Sequence, residues 1–232
     1  PVSEVVFSPN GTAFSARVAG RVIRDLVLPL PGRFQLENCR TALAVIAELA
    51  HRNAIDWDTD AIRSGIGQVR WPGRLTIRPF STMKLGRILR VDGSDAQHDE
   101  SVLVIDGAHN PRAVRAVLNS LVELYPDHVL DIITAVPANK DAQAMLQVMR
   151  EYTDRVIVTA YHSSRSLLPE VLAGIAERCG LVVTPTECLE AAMSAAVSGS
   201  GRRRVVLVIG SLYLAGEALA LIGEDAACLT IY

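Results

Sequence analysis

From residue 102 to residue 222, short runs of consecutive apolar residues alternate with segments whose apolar residues recur at helical spacing. The runs are VLVI (102–105), VLDIITAV (129–136), VIVTA (156–160), LVV (181–183) and VVLVI (205–209). Strands this short and this continuously apolar need cover on both faces, unlike antiparallel strands with one wet side. Between them Val114, Val117, Leu118 and Leu121 share one helical face; Leu168, Val171, Leu172, Ile175 and Cys179 share another; Leu189, Ala192, Met193 and Ala196 a third. Strand and helix in repetition predict an α/β fold: a Rossmann-like, doubly wound, mostly parallel sheet with helices on both sides.

The first thirty residues follow a different pattern. SEVVFS, TAFSARV and VIRDLVLPL are β-rich runs separated by PNG and AGR, which are turn signals, so hairpins are expected. ENCRTALAVIAELAH then places Cys39, Ala42, Leu43, Ile46 and Leu49 on one helical face, and WDTDAIRSGIGQV fits a second helix starting at an Asp or Thr cap. RWPGR breaks the pattern. Residues 78–101 carry one candidate hairpin, around 86–92, and a polar run that reads as a loop. The expected division is therefore 1–74, the tail of a larger α/β domain, and 75–232, a complete domain. A chain that opens on Pro1 and enters a strand at once is expected to be part of a longer protein.

Composition removes several functional classes. Of 232 residues half are hydrophobic, and Lys+Arg 23 against Asp+Glu 25 leaves a net charge of -2, so no basic field argues for nucleic acid. The cysteines at 39, 179, 188 and 228 lack CxxC spacing and read as buried thiols in a reducing cytoplasm. PVSEVVFSPNG has no basic run followed by an apolar one, so no secretory signal is expected. Residues 202–222 are apolar enough to suggest a membrane span, but Gly210-Ser211 is turn chemistry and Glu217 interrupts the run, so a strand and a helix account for them and no membrane partner is expected.

Chemistry concentrates where VLVI ends, in Asp106-Gly107-Ala108-His109-Asn110-Pro111. In a doubly wound sheet, ligands sit beyond the carboxyl ends of the strands, where loops converge and helix N-termini offer unpaired N–H groups. Asn110 suits an N-cap and Pro111 the first helical position. Asp106 can accept from sugar hydroxyls, and Gly107 permits a tight turn or a close approach. Capping alone accounts equally well for Asp106 and His109. By itself Pro72-Gly73-Arg74 is a turn with a solvated arginine, and Asn38, near the start of a helix, is more often a cap than a ligand.

Taken in order, FQLENCRTAL, RWPGRL, VLVIDGAHNP, ANKD and IGSLYLAGEAL resemble the C-terminal portion of the folylpolyglutamate synthase and dihydrofolate synthase family, within the Mur ligase superfamily. DGAHNP is the most specific element; peptidoglycan ligases usually carry tyrosine after that aspartate, so Gly107 favours the folate branch. The resemblance implies the tail of a central ATPase domain followed by a Mur-ligase-type C-terminal domain. It implies that Asn38 contacts adenine, Arg74 reaches the nucleotide phosphates, and Asp106 contacts ATP. It further implies that His109 lies near the incoming glutamate or the phosphate, and that Ser211 touches that amino acid. Lys140 and Asp141 match a recurring pair with no role assigned.

The implied reaction is ATP-dependent addition of L-glutamate to a folate or dihydropteroate carboxylate through an acyl phosphate, by a monomer needing Mg²⁺. Two departures stand against it. Phe34 replaces the histidine that many relatives carry before the glutamine. No G-x-x-x-x-G-K-[ST] occurs, and SGIGQVR (64–70) lacks the lysine and hydroxyl that hold phosphate and Mg²⁺. The phosphate loop and metal ligands are therefore expected upstream, and the chain alone is not expected to turn over ATP. The alternatives are a non-catalytic Rossmann-like lobe or a Mur peptide ligase acting on another carboxylate; a dinucleotide-dependent oxidoreductase is disfavoured because no G-x-G-x-x-G follows a strand.

Overall fold

The structure, a computed structural model, describes residues 1–80, 101–197 and 203–224. It divides into two compact units, Pro1–Trp71 and Pro72–Tyr232.

In the first unit, β1 (Val2–Ser8), β2 (Gly11–Val18) and β3 (Arg21–Leu28) form an antiparallel meander, as the two turn signals require. Phe14, Ile23, Leu26 and Leu28 of its inner face pack with Leu36, Cys39 and Leu43 of α1 (Arg33–His51) and Ile62 of α2 (Thr59–Gly67). Helix α2 starts at Asp58, whose carboxylate accepts from the Asp60 and Ala61 N–H groups. Helix α1 starts earlier than its apolar pattern suggests. Gly32, at φ 98°, turns the chain into it, and Leu36 extends the buried stripe of Cys39 and Leu43 by one turn. Asn38 is thus in the second turn and is not a cap. Ala42 and Leu49, expected on the buried face, are exposed.

The second unit is a six-stranded sheet in the order β4-β5-β9-β6-β7-β8, parallel except at one edge. Its strands are β4 (Thr76–Pro79), β5 (Val102–Ile105), β6 (Val129–Thr134), β7 (Arg155–Val158), β8 (Val182–Pro185) and β9 (Arg204–Ile209). The helices are α3 (Pro111–Leu124), α4 (Ala142–Arg150), α5 (Pro169–Arg178), α6 (Leu189–Val197) and α7 (Leu212–Leu221). Central β5 and β9 are buried along their whole length, which explains their unbroken apolar sequences. Helices α3, α4 and α5 pack side by side. Helices α6 and α7 pack elsewhere, forming one core with Leu103, Ile105, Ile133, Val206 and Val208 of the sheet. Residues 204–221 form β9 and α7, and no described helix is long and apolar enough to cross a membrane.

Several expectations need correction. Strand β4 was not foreseen; it lies antiparallel to β5 from Thr76↔Ile105 to Pro79↔Val102. In α5 the buried face is Leu172, Ala173 and Ala176, whereas Val171 is exposed and Leu168 is the N-cap, with Pro169 at the first helical position. Cys39 is buried, but Cys179 and Cys188 are only half-buried; all three are free thiols. The expected hairpin at 86–92 and Cys228 lie outside the described residues.

Candidate functional site

Strand β9 is flanked by β5 and β6, and the helices that follow those two neighbours pack apart from α7, which follows β9 itself. Loops therefore part company beyond the carboxyl end of β9, the position where open α/β sheets leave a crevice. One wall is the Asp106–Asn110 turn. Asp106 is only 2% exposed, and both its carboxylate oxygens are engaged. Oδ1 accepts from the Ala108 N–H at 2.8 Å and Oδ2 from the Leu75 N–H at 2.8 Å. Burial pushes its pKa up to about 6, against the pull of those two N–H donors and of nearby Arg74 and His109. Asn110 caps α3 by accepting from Ala113 N–H at 2.9 Å, and Pro111 occupies the first helical position.

The Leu75 bond ties this wall to the turn before β4. Gly107 N–H donates to the Gly73 carbonyl at 2.9 Å, and Gly73 N–H donates to Thr76 Oγ1 at 2.9 Å. Gly73 and Leu75 both have positive φ, 74° and 45°. Arg74 sits between them, half-buried, with Nη1 on the Gly73 carbonyl at 3.2 Å. These bonds place Arg74 in the second unit, three residues beyond Trp71, rather than at the end of the first domain. A methyl group on Gly107 would come within 2.2 Å of Leu212 Cδ2 and 2.8 Å of Arg74 Nη1. The bare glycine is what lets the guanidinium lie against the backbone.

His109 is half-exposed, with Nδ1 2.9 Å from the Gly107 carbonyl oxygen. A carbonyl only accepts, so this hydrogen bond puts the neutral ring's proton on Nδ1 and leaves a lone pair on Nε2. On the opposite wall, Gly210 N–H donates to the Ala108 carbonyl at 3.0 Å, joining the two loops beyond the strands. Ser211 follows and is 1% exposed; its hydroxyl caps α7 by accepting from the Tyr213 N–H at 3.1 Å. The Tyr161 ring stacks on Tyr213 at 5.6 Å, and burial raises the Tyr161 hydroxyl's pKa, with Ser211 the polar group beside it. That hydroxyl and those of Thr134 and Thr159 are buried without a hydrogen bond among the described residues.

The structure thus gathers Arg74, Asp106 and His109 at one mouth, with Ser211 on the adjoining loop. Asn38 belongs to the first unit, where it is exposed and donates from Nδ2 to Gln35 Oε1 at 3.0 Å. Of the Lys140–Asp141 pair, Asp141 caps α4, accepting from Ala144 N–H at 2.9 Å, and Lys140 is exposed. Leu75, Thr76 and Leu212 were not anticipated. Gly107 signalled a close approach without naming its partner, and nothing marks a leucine as left-handed. No three His, Cys, Asp or Glu side chains converge among the described residues, and Asp106, the carboxylate at the mouth, is buried and accepts a backbone N–H on each oxygen, so no ready-made cage for Mg²⁺ is seen among them.

A family model described as Mur ligase, glutamate ligase domain, matches residues 86–212. The chain is 29% identical over 232 residues to the dihydrofolate synthase/folylpolyglutamate synthase of Mycobacterium tuberculosis, covering 93% of this chain and 44% of that protein. It is 32% identical over 192 residues to a probable bifunctional folylpolyglutamate synthase/dihydropteroate synthase of Halobacterium salinarum, covering 82% and 20%. A crystal structure of the Mycobacterium tuberculosis folylpolyglutamate synthase complexed with ADP and AMPPCP superposes with a TM-score of 0.77 at 28% identity, over 97% of this chain and 48% of that one. The chain therefore spans less than half the length of these relatives.

Proposed function

This chain belongs to the Mur ligase family and carries its glutamate ligase domain, and from that membership we propose that it is part of an ATP-dependent ligase joining L-glutamate to a folate or dihydropteroate carboxylate. The observation that carries the proposal is Arg74, a permanent cation held against the Gly107 backbone at the mouth of a wound sheet. The relatives named folylpolyglutamate and dihydrofolate synthase, and the similar structure complexed with ADP and AMPPCP, support both the substrate class and the nucleotide.

In this reading the carboxylate accepts a phosphoryl group, ADP leaves, the glutamate amine attacks the acyl carbon, and inorganic phosphate departs as the amide forms. Arg74 neutralises charge on the phosphoryl oxygens during both transfers, a task that suits a planar, always-charged fork. His109 takes the proton that the attacking amine must lose, using the Nε2 lone pair left free by the Nδ1 contact. Asn38, on the first unit, offers a donor and an acceptor to the adenine edge. Ser211 sits where the amino acid enters, and Asp106 belongs to the nucleotide side of the mouth. No step is drawn through Mg²⁺, whose ligands in this proposal lie outside the described residues. The free cysteines suit a reducing cytoplasm, and the proposed enzyme works on small molecules as a monomer.

The test is an assay of the protein encoded by the whole reading frame, with ATP, glutamate and either dihydropteroate or tetrahydrofolate. Glutamate-dependent phosphate release is expected, and Arg74→Ala should suppress it more than tenfold, or by over about 1.4 kcal/mol of transition-state stabilisation. Release that ignores both pterin substrates would shift the proposal to another carboxylate. No release at all would leave a binding lobe.

A further inference from the structure

We propose that Tyr161 is a positioning residue of the amino-acid site: when the substrate binds, its hydroxyl donates to Ser211 Oγ and so commits the Ser211 proton to a carboxylate of that substrate. The inference deepens the reading above and rests on it in one respect, that the amino acid enters at Ser211.

A serine hydroxyl has one proton and two lone pairs. One lone pair of Ser211 is already taken, because the Tyr213 N–H at the start of α7 donates to it at 3.1 Å. Beside it lies Tyr161, 4% exposed, whose hydroxyl is buried with no hydrogen bond among the described residues. A buried O–H costs free energy until it finds an acceptor. Burial also pushes its pKa above the ordinary phenol value, so at neutral pH the group keeps its proton and can donate. Were Ser211 to donate to Tyr161 instead, the serine proton would be used inside the protein and the phenol proton left stranded. With Tyr161 as the donor, both lone pairs of Ser211 are filled and its own O–H is left to meet an acceptor, which suits an anion. The phenol ring is held in place from two sides. It stacks on Tyr213 with centroids 5.6 Å apart and planes 10° from parallel, and the N–H of the next residue, His162, donates to the Glu217 carboxylate of α7 at 2.7 Å. Arg165, with Nη1 3.4 Å from the Tyr213 hydroxyl, sets a cation on the same wall.

Tyr161→Phe keeps the ring and its stack and deletes only the hydroxyl. In the whole protein the KM for L-glutamate is expected to rise about tenfold, the size of one hydrogen bond, with kcat moving less than KM and the KM for ATP unmoved. A double-mutant cycle separates acting through Ser211 from acting alone: Tyr161→Phe added to Ser211→Ala should cost no more than about twofold further. Multiplying losses, or an unchanged KM in Tyr161→Phe, would overturn the proposal. A hydroxyl with a purely structural role would lower Tm and leave KM alone. Here Tyr161→Phe removes an unbonded O–H, so the free protein should unfold at or above the wild-type Tm, and a lower Tm would also refute the proposal by showing that the hydroxyl is bonded before substrate arrives. Calorimetric titration of L-glutamate into the protein loaded with AMPPCP reads binding without turnover. If wild type shows no turnover, the ligase reading falls, while the same loss of glutamate affinity in Tyr161→Phe, or an unchanged affinity, still decides Tyr161. A wild type that binds no glutamate removes both.

Discussion

Asp131 and Arg204 are ion-paired inside the sheet, on adjacent strands β6 and β9, with side chains 1% and 8% exposed. Arg155, on β7 and half-exposed, donates to the other oxygen of the same carboxylate, so one aspartate joins three strands at the end of the sheet away from the candidate site. Removing Asp131 would leave Arg204 buried and uncompensated, a loss that typically costs about 3–5 kcal/mol. Arg155→Ala removes a cation that water already screens and should cost about 1 kcal/mol or less. Urea unfolding of Asp131→Ala and Arg155→Ala compares the two directly; equal costs would mean that the Asp131–Arg204 pair does not secure the strands.

Two glycines at the mouth are expected to respond differently to one added methyl. At Gly210, φ is 121°, and the methyl would meet the Ala135 carbonyl oxygen and Thr134 Oγ1, both at 2.6 Å. Backbone cannot yield there. At Gly107 the close atoms are the far ends of Leu212 and Arg74, which can swing away. Gly210→Ala should therefore cost about 3 kcal/mol or more of stability, the larger share from strain, and Gly107→Ala about 1. Gly107→Ala should instead displace Arg74 and weaken nucleotide binding. Thermal unfolding beside nucleotide titration resolves the two effects, and a Gly107→Ala protein that binds normally would break the link between that glycine and Arg74.

The second unit was legible because its physics is local. Continuous apolar runs demand cover on both faces, and Asn110-Pro111 announces a helix start whatever the rest of the fold does. What escaped depended on distant partners. TIRP is too short and too mixed to read as a strand until β5 supplies its ladder, and Leu75 becomes left-handed only because Asp106, 31 residues on, takes its N–H. Val171 fitted helical periodicity yet is exposed, since α5 sits beside the edge strand β8 and has less sheet to cover. Asp106 and Arg74 could be singled out as polar groups near strand ends. Their connection through a backbone turn could not, because no spacing rule encodes it.

Asn38 offers a cleaner separation of binding from stability than any residue of the second unit. Its side chain is exposed in mid-helix and bonds only to Gln35 among the described contacts, while Gln35 itself is 5% exposed. Alanine is the better helix former, so Asn38→Ala should leave stability within about 0.5 kcal/mol of wild type. The same substitution in the whole protein should weaken binding of adenine nucleotides and discriminate less against guanine nucleotides. Parallel titrations with ATP and GTP analogues would show it; an unchanged preference would remove Asn38 from the base-contacting role.

The buried carboxyl of Asp106 gives a pH dependence with a definite sign. Its folded pKa of about 6 lies above the ordinary value of 3.8, so the folded chain binds this proton more tightly than the unfolded chain does. Burial of the charged form therefore opposes folding above pH 6, by about 3 kcal/mol as an order of magnitude, and that cost fades as pH falls from 6 towards 3.8. Asparagine at this position carries no such proton. Wild type should gain about 1.4 kcal/mol relative to Asp106→Asn on going from pH 7.5 to pH 5, with every other titrating group common to both proteins. Urea unfolding at the two pH values measures the difference. A gap that stays constant, or that moves against wild type in acid, would mean that the Leu75 and Ala108 N–H groups together with Arg74 stabilise the anion more than burial destabilises it.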